Sequence, residues 1–207
     1  MKHWKPAVIA ALWSGALYAA PMPVVASFSI LGDVAQQIGG ERVAVQSLVG
    51  ANQDAHAYNL TSSDIKKIRE ARLVLLNGLG LEKAELQRAV KQSKVASAEA
   101  TAGIKPLAAD EHHHEHNHGH DHDHGEFDPH VWNDPVLMQR YAANVAIALI
   151  KADPAGSRYY QQRFKDYQNV LNQLNNYANQ QFGAVAPAKR KVLTGHDSFA
   201  YLGKRYQ

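Results

Sequence analysis

Residues 24–49, Val-Val-Ala-Ser-Phe-Ser-Ile-Leu-Gly-Asp-Val-Ala-Gln-Gln-Ile-Gly-Gly-Glu-Arg-Val-Ala-Val-Gln-Ser-Leu-Val, decide the fold class. Val24 to Ile30 is apolar and β-branched enough for a buried strand, and Gly32 to Ile38 predicts a short helix closed by Gly39-Gly40. Val43 to Val49 predicts a second strand. The alternation continues after a polar loop from Gly50 to Leu60. Thr61-Ser62-Ser63-Asp64 supplies capping residues for a helix with Ile65 and Ile68 on one face. Leu73 to Leu76 reads as a third strand closed by Asn77-Gly78, Leu81 to Gln92 as a helix, and Lys94 to Ala98 as a fourth short strand. Strands alternating with helices imply an α/β fold with a parallel sheet covered on both faces.

Beyond the fourth strand, Ala109 to Phe127 has no apolar periodicity and carries acidic residues without Lys or Arg, which predicts a mobile surface loop. Asp134-Pro135 then starts a helix running from Val136 to about Ala152. Pro154 begins another that continues to about Phe182, with Tyr160, Phe164, Tyr167, Leu171 and Leu174 three and four apart. At about 1.5 Å per residue it is about 40 Å long, a rigid backbone between two lobes. Lys191 to Thr194 reads as a new strand, Gly195-His196-Asp197 as its C-terminal turn, and Ser198 as the cap of a helix carrying Phe199, Leu202 and Tyr206. One strand and one helix cannot bury a domain. The expected organisation is therefore a signal peptide (1–20), an N-terminal α/β lobe (21–134), a helical segment (135–186) and the incomplete start of a second lobe (187–207), a truncated chain.

The chain has 207 residues, a formal charge of +3 and no cysteine. That excludes Cys-ligated zinc, iron–sulfur clusters, a cysteine nucleophile and an N-terminal lipid anchor on Cys. No Lys/Arg cluster or stripe stands out, so the charge argues against a nucleic-acid binder. Lys2 and Lys5 before an apolar stretch from Ala7 to Leu17, with small residues at Ala19 and Ala20, read as an export signal too short to span a bilayer. No clean small-x-small pattern marks the cleavage site, which leaves an uncleaved anchor as the alternative. Cleavage removes both lysines and leaves 20 Lys+Arg against 19 Asp+Glu.

Histidine is the unusual residue, with 12 copies. His112, His113, His114, His116, His118, His120, His122 and His124 form one tract, with histidine at every even position from 112 to 124. In an extended chain, period two puts those rings on one side and the interspersed carboxylates mostly on the other. An affinity tag sits at a terminus without such carboxylates; capture or sensing of a transition metal is the natural reading. His3 leaves with the signal. His56, His130 and His196 remain, all at predicted strand or loop ends where α/β sheets place ligands, and each beside an acidic residue: Asp54, Asp128, and Asp197 with Asp134 near by. A carboxylate that accepts the second ring N–H fixes a ligating imidazole's tautomer. Three histidines are also ordinary usage for half-exposed polar residues. As ligands, three neutral imidazoles suit Zn²⁺, Cu²⁺, Ni²⁺ or Co²⁺ better than Mg²⁺ or Ca²⁺, and zinc by its tetrahedral preference. The fourth position is closed by Asp or Glu for binding, or left to water for catalysis.

Val25-Ala26-Ser27-Phe28, Gly50 to Asp64 with its His-x-Tyr, Asp128-Pro-His-Val-Trp-Asn-Asp-Pro, the acidic histidine tract and Thr194-Gly-His-Asp-Ser-Phe-x-Tyr, behind an export signal, together resemble the periplasmic metal-binding proteins of ABC importers, the ZnuA-like zinc group. The resemblance covers residues 21–207. It implies two α/β lobes joined by a long helix with metal between them, and His56, His130 and His196 match the three histidine ligands of that family. The fourth ligand, usually an Asp or Glu of the second lobe, has no match in this sequence. Leu60 and Ser62 stand where the family often has prolines, and His196 stands where manganese-type relatives often carry Glu, which favours zinc. The function so implied is a periplasmic monomer, not an enzyme, that delivers Zn²⁺ to an ABC permease in the inner membrane, without nucleic acid or lipid anchor. The alternatives are a three-histidine zinc hydrolase or hydratase, although His-Glu-x-x-His is absent, a manganese or other metal carrier, and a periplasmic metallochaperone.

Overall fold

The computed structural model describes residues 20–109 and 126–207. The export signal up to Ala19 and the histidine tract at 112–124 lie outside the described residues.

Four parallel strands, β1 (Met22–Phe28), β2 (Val43–Val49), β3 (Leu73–Leu76) and β4 (Ala96–Glu99), form one sheet in the order β2-β1-β3-β4. Val24 faces Val45 on one side and Leu73 on the other, so β1 lies inside the sheet. Helices α1 (Ser29–Gly39), α2 (Ser62–Glu70) and α3 (Ala84–Ser93) connect the strands; α4 (Pro135–Ala152), α5 (Ser157–Gly183) and α6 (Ala200–Tyr206) come after them. The pleat sorts side chains onto two faces. Val24, Ala26 and Phe28 join Leu73 and Leu75 in a core with Leu31 and Ile38 of α1, Tyr141, Val145 and Leu149 of α4 and Tyr160 of α5. Val25, Val74 and Leu76 point the other way, onto Ile68 of α2 and Leu86 and Val90 of α3. The sheet is covered on both faces, as a parallel sheet requires.

Local signals explain most element ends. Gly40, at φ +52°, closes α1. Thr61 and Asp64 cap α2 reciprocally: Thr61 Oγ1 accepts from the Asp64 N–H at 3.2 Å, and Asp64 Oδ2 from the Thr61 N–H at 3.0 Å. Asp134 Oδ1 accepts from the N–H groups of Val136 and Leu137 at the start of α4, where Pro135 opens the helix. Gly78, at φ +88°, turns the chain after β3 where a Cβ would sit 2.6 Å from Thr101 Oγ1.

Three expectations are corrected. β1 stops at Phe28 rather than Ile30, because its pairing with β2 ends at Phe28 opposite Val49; without ladder partners, Ser29 and Ile30 become the first turn of α1. No strand forms at 191–194. A strand needs a neighbour for its N–H and C=O groups, and none pairs with this segment among the described residues, where Val192 and Leu193 are 85% and 99% exposed. Ser198 does not cap the last helix: α6 begins at Ala200, after Phe199, with no side-chain cap.

The root of α5 is pinned to the lobe. Arg42 Nε and Nη2 donate to Asp153 Oδ2 at 2.9 and 2.7 Å, and the Tyr160 hydroxyl donates to the same oxygen at 2.7 Å. Burial and that hydrogen bond push the Tyr160 hydroxyl up to about 12. Farther along, Leu174 and Tyr177 are 48% and 61% exposed. Among the described residues no helix is long and apolar enough to cross a membrane.

Candidate metal centre

His56 lies on the loop between β2 and α2, His130 opens the short turn Val131–Asn133 before α4, and His196 lies in the irregular segment before α6. The structure brings these three together from positions 74 and 66 residues apart. His130 Nε2 is 3.1 Å from His56 Nε2 and 3.2 Å from His196 Nε2. The ring centroids form a nearly equilateral triangle of 5.1, 5.2 and 5.1 Å, with the rings tilted 48°, 61° and 73° to one another. Among the described residues this is the one group of His, Cys, Asp or Glu with metal-ligand spacing. Nitrogens at that separation accept an ion at about 2.0–2.1 Å from each, with N–metal–N angles of about 100°. The three side chains offer one nitrogen each within 4.8 Å of one another, a spacing that suits a single shared ion.

The acidic neighbours act differently from one another. Asp128 Oδ1 accepts from the His130 backbone N–H at 2.9 Å and pairs with His130 Nδ1 at 2.6 Å, both buried. Nδ1 therefore carries the proton and Nε2 offers its lone pair to the centre. Asp54 Oδ1 accepts from the His56 backbone N–H at 2.8 Å, shaping the loop. Burial pushes the Asp54 carboxyl up, but the N–H groups of His56 and Ala57 and the nearby imidazoles hold it below the usual range. Asp197 is exposed beside His196. Asp134 caps α4 and pairs with Arg205.

Sequence reasoning missed the residues that bring His196 in. Asn133 Nδ2 donates to the Ser198 carbonyl at 2.7 Å, and Arg205 Nε donates to both Asp134 oxygens at 3.0 and 2.9 Å. The Tyr201 hydroxyl donates to the Asp128 carbonyl at 2.8 Å and accepts from the Leu107 N–H at 3.0 Å. These contacts join segments 65 to 94 residues apart; Asn133, Asp134 and Tyr201 lie in the two quoted family segments, but those segments alone do not say that they meet. A wall of aromatic rings backs the centre: Trp132 meets His130 edge-on at 5.1 Å and Phe28 at 4.9 Å. A cavity of about 290 Å³ lies behind the His56 loop, lined by Ala55, Tyr58 and Leu60 of the loop and by Ser27, Phe28 and Glu82; none of the three histidines lines it.

Known proteins share this architecture. The chain is 30% identical to the manganese ABC transporter substrate-binding lipoprotein PsaA of Streptococcus anginosus, over 89% of this chain and 59% of the relative. It is 31% identical to the iron-binding protein YfeA of Yersinia pestis, over 88% and 56%. It thus spans under two thirds of the length of these relatives. The Mn-bound periplasmic metal-binding protein of Candidatus Liberibacter asiaticus superposes with a TM-score of 0.77 at 30% identity, over 89% of this chain and 66% of that one. A ZnuA deletion mutant with zinc bound gives 0.79 at 26% identity, over 90% and 67%. The α/β lobe with its parallel sheet and long helix is thus the periplasmic metal-binding fold, and the compartment read from the first twenty residues agrees with it. The family model for zinc-uptake complex component A, periplasmic, matches residues 24–207, and the chain belongs to that family.

Proposed function

We propose that the chain is the metal-carrying component of an ABC importer, binding Zn²⁺ through Nε2 of His56, His130 and His196 and handing it to an inner-membrane permease. The observation that carries this reading is the convergence of three ring nitrogens at 3.1 and 3.2 Å, one of them held in the ligating tautomer by Asp128. No bond of the cargo is made or broken. The protein is a carrier, and the relatives named above are named for binding and transport. The histidine tract at 112–124 is an auxiliary site that gathers zinc. Residues 187–207 belong to the second lobe that the resemblance implies, and the exposure of Val192 and Leu193 supports that assignment.

A second reading, manganese carriage, is favoured by the names of the relatives at about 30% identity. Three imidazoles argue for zinc, because manganese prefers more oxygen in its shell. Equilibrium dialysis of the chain without residues 112–124, against Zn²⁺ and Mn²⁺ separately, tests the site, and a zinc preference beyond the general order of Zn²⁺ over Mn²⁺ favours zinc as the cargo. Zinc should bind more tightly, and His56→Ala, His130→Ala and His196→Ala should each weaken it. Tighter manganese would replace the cargo and keep the site; unchanged zinc affinity in all three variants would remove the site.

A further inference from the structure

Asn77, at the C-terminal end of β3, is fully buried. Its backbone N–H donates to Glu82 Oε1 at 2.6 Å, and its backbone carbonyl accepts from Thr101 Oγ1 at 2.6 Å and the Thr101 N–H at 3.1 Å. Its side chain faces elsewhere. Nδ2 donates to the carbonyls of Gly78 at 3.0 Å and Pro129 at 3.2 Å, while Oδ1 accepts from the Tyr141 hydroxyl of α4 at 3.0 Å. Carbonyls only accept, so the amide has one orientation: turned over, Oδ1 would confront two carbonyl oxygens.

The Pro129–His130 peptide is held at both ends. Its oxygen accepts from Asn77 Nδ2 and from the Val131 N–H at 2.9 Å, and its N–H donates to Asp128 Oδ1 at 2.9 Å. Val131 and Asp128 are neighbours in the chain and travel with the loop. Asn77 is the hold that comes from the sheet, 52 residues away. We propose that Asn77, braced by Tyr141, is the positioning residue that fixes the His130 peptide against the sheet and so sets where Nε2 meets the other two rings. The proposal rests on the reading of His130 as a metal ligand. Ligand geometry tolerates only about 0.5 Å of error, so a single removed anchor is felt in affinity.

Replacing the Asn77 side chain spares the backbone bonds to Glu82 and Thr101, which separates positioning from holding the turn together. The test uses the full chain, and beside it the chain without residues 112–124 so that zinc on the tract is told apart from zinc at the centre, with Zn²⁺ as sole added ligand in chelator competition, thermal unfolding, and the proton NMR signal of His130 Nδ1–H in metal-free protein. A 2.6 Å bond to Asp128 places that signal far downfield. Asn77→Ala should unfold cooperatively, lose about tenfold in zinc affinity and shift or broaden the signal; Tyr141→Phe should show the same changes in smaller measure. A lowered melting temperature with wild-type zinc affinity and an unmoved signal means a purely structural role and overturns the proposal. Should Asn77→Ala not fold, Tyr141→Phe decides by the same two readouts. If His130→Ala keeps wild-type zinc affinity, the ligand reading fails separately, and the signal in Asn77→Ala still decides whether Asn77 positions the ring.

Discussion

His130 has the choice of its tautomer already made. One carboxylate oxygen of Asp128 accepts from both its backbone N–H and its Nδ1–H, so Nε2 keeps its lone pair without a proton rearrangement. Asp128→Ala removes that preference and should weaken zinc binding about 10–100-fold, read by competition with a fluorescent chelator; unchanged affinity would mean that Asp128 serves the loop alone. The histidines were legible as candidates because the chain offers no thiolate and places each at a predicted strand or loop end. Asp128 was legible too, two residues from the ring it meets. The contribution of Asn77 was not: Asn77-Gly78 reads as a turn signal, and its partner Pro129 lies across the sheet.

Among the elements, α6 decides whether His196 reaches the other two histidines. His196 sits in an exposed, irregular segment, and the helix after it is tied down by Arg205 to Asp134 and Tyr201 to the Asp128 carbonyl. Arg205→Ala should therefore release α6 while leaving Asp134 as the α4 cap. The expected result is several-fold weaker zinc binding and faster proteolysis within residues 190–207, with the region from α1 to α5 intact. Equal proteolysis throughout would instead place the loss in the lobe. The helices and strands of the lobe were legible because period and caps agree there. The strand expected at 191–194 was not a misreading of period: β-branched alternation describes a side chain's preference, while a strand exists only where another backbone pairs with it.

For the whole molecule, acid is the informative stress. Asp64 is buried, which raises its carboxyl, but Thr61, Tyr58 and Lys67 bind the charged form and hold it down at about 2 against an ordinary 3.8. A depressed carboxyl contributes stability above its unfolded value and loses it as pH falls through the folded one, so the contribution of about 2 kcal/mol should vanish between about pH 4 and pH 2. Urea unfolding of the wild type and Asp64→Asn should show the gap in stability narrowing across that window; a gap independent of pH would assign the difference to packing.

The chain is closed across the two ends that flank residues 110–125. Ala108 pairs antiparallel with Phe127, the Ala109 N–H donates to the Glu126 carbonyl at 3.2 Å, and the Asp128 N–H donates to the Leu107 carbonyl at 3.0 Å. The chain leaves and re-enters through one closed gate beside Asp128. Doubling the length of the segment beyond such a gate changes closure entropy by only about 0.6 kcal/mol. Replacing residues 110–125 with Asn-Gly, a two-residue hairpin turn, should accordingly leave the melting temperature within a few degrees; a large drop would show that the insert supports the lobe. On the proposed reading of the tract as an auxiliary metal site, this closed base lets substitutions change the number and spacing of those imidazoles independently of the three-histidine centre.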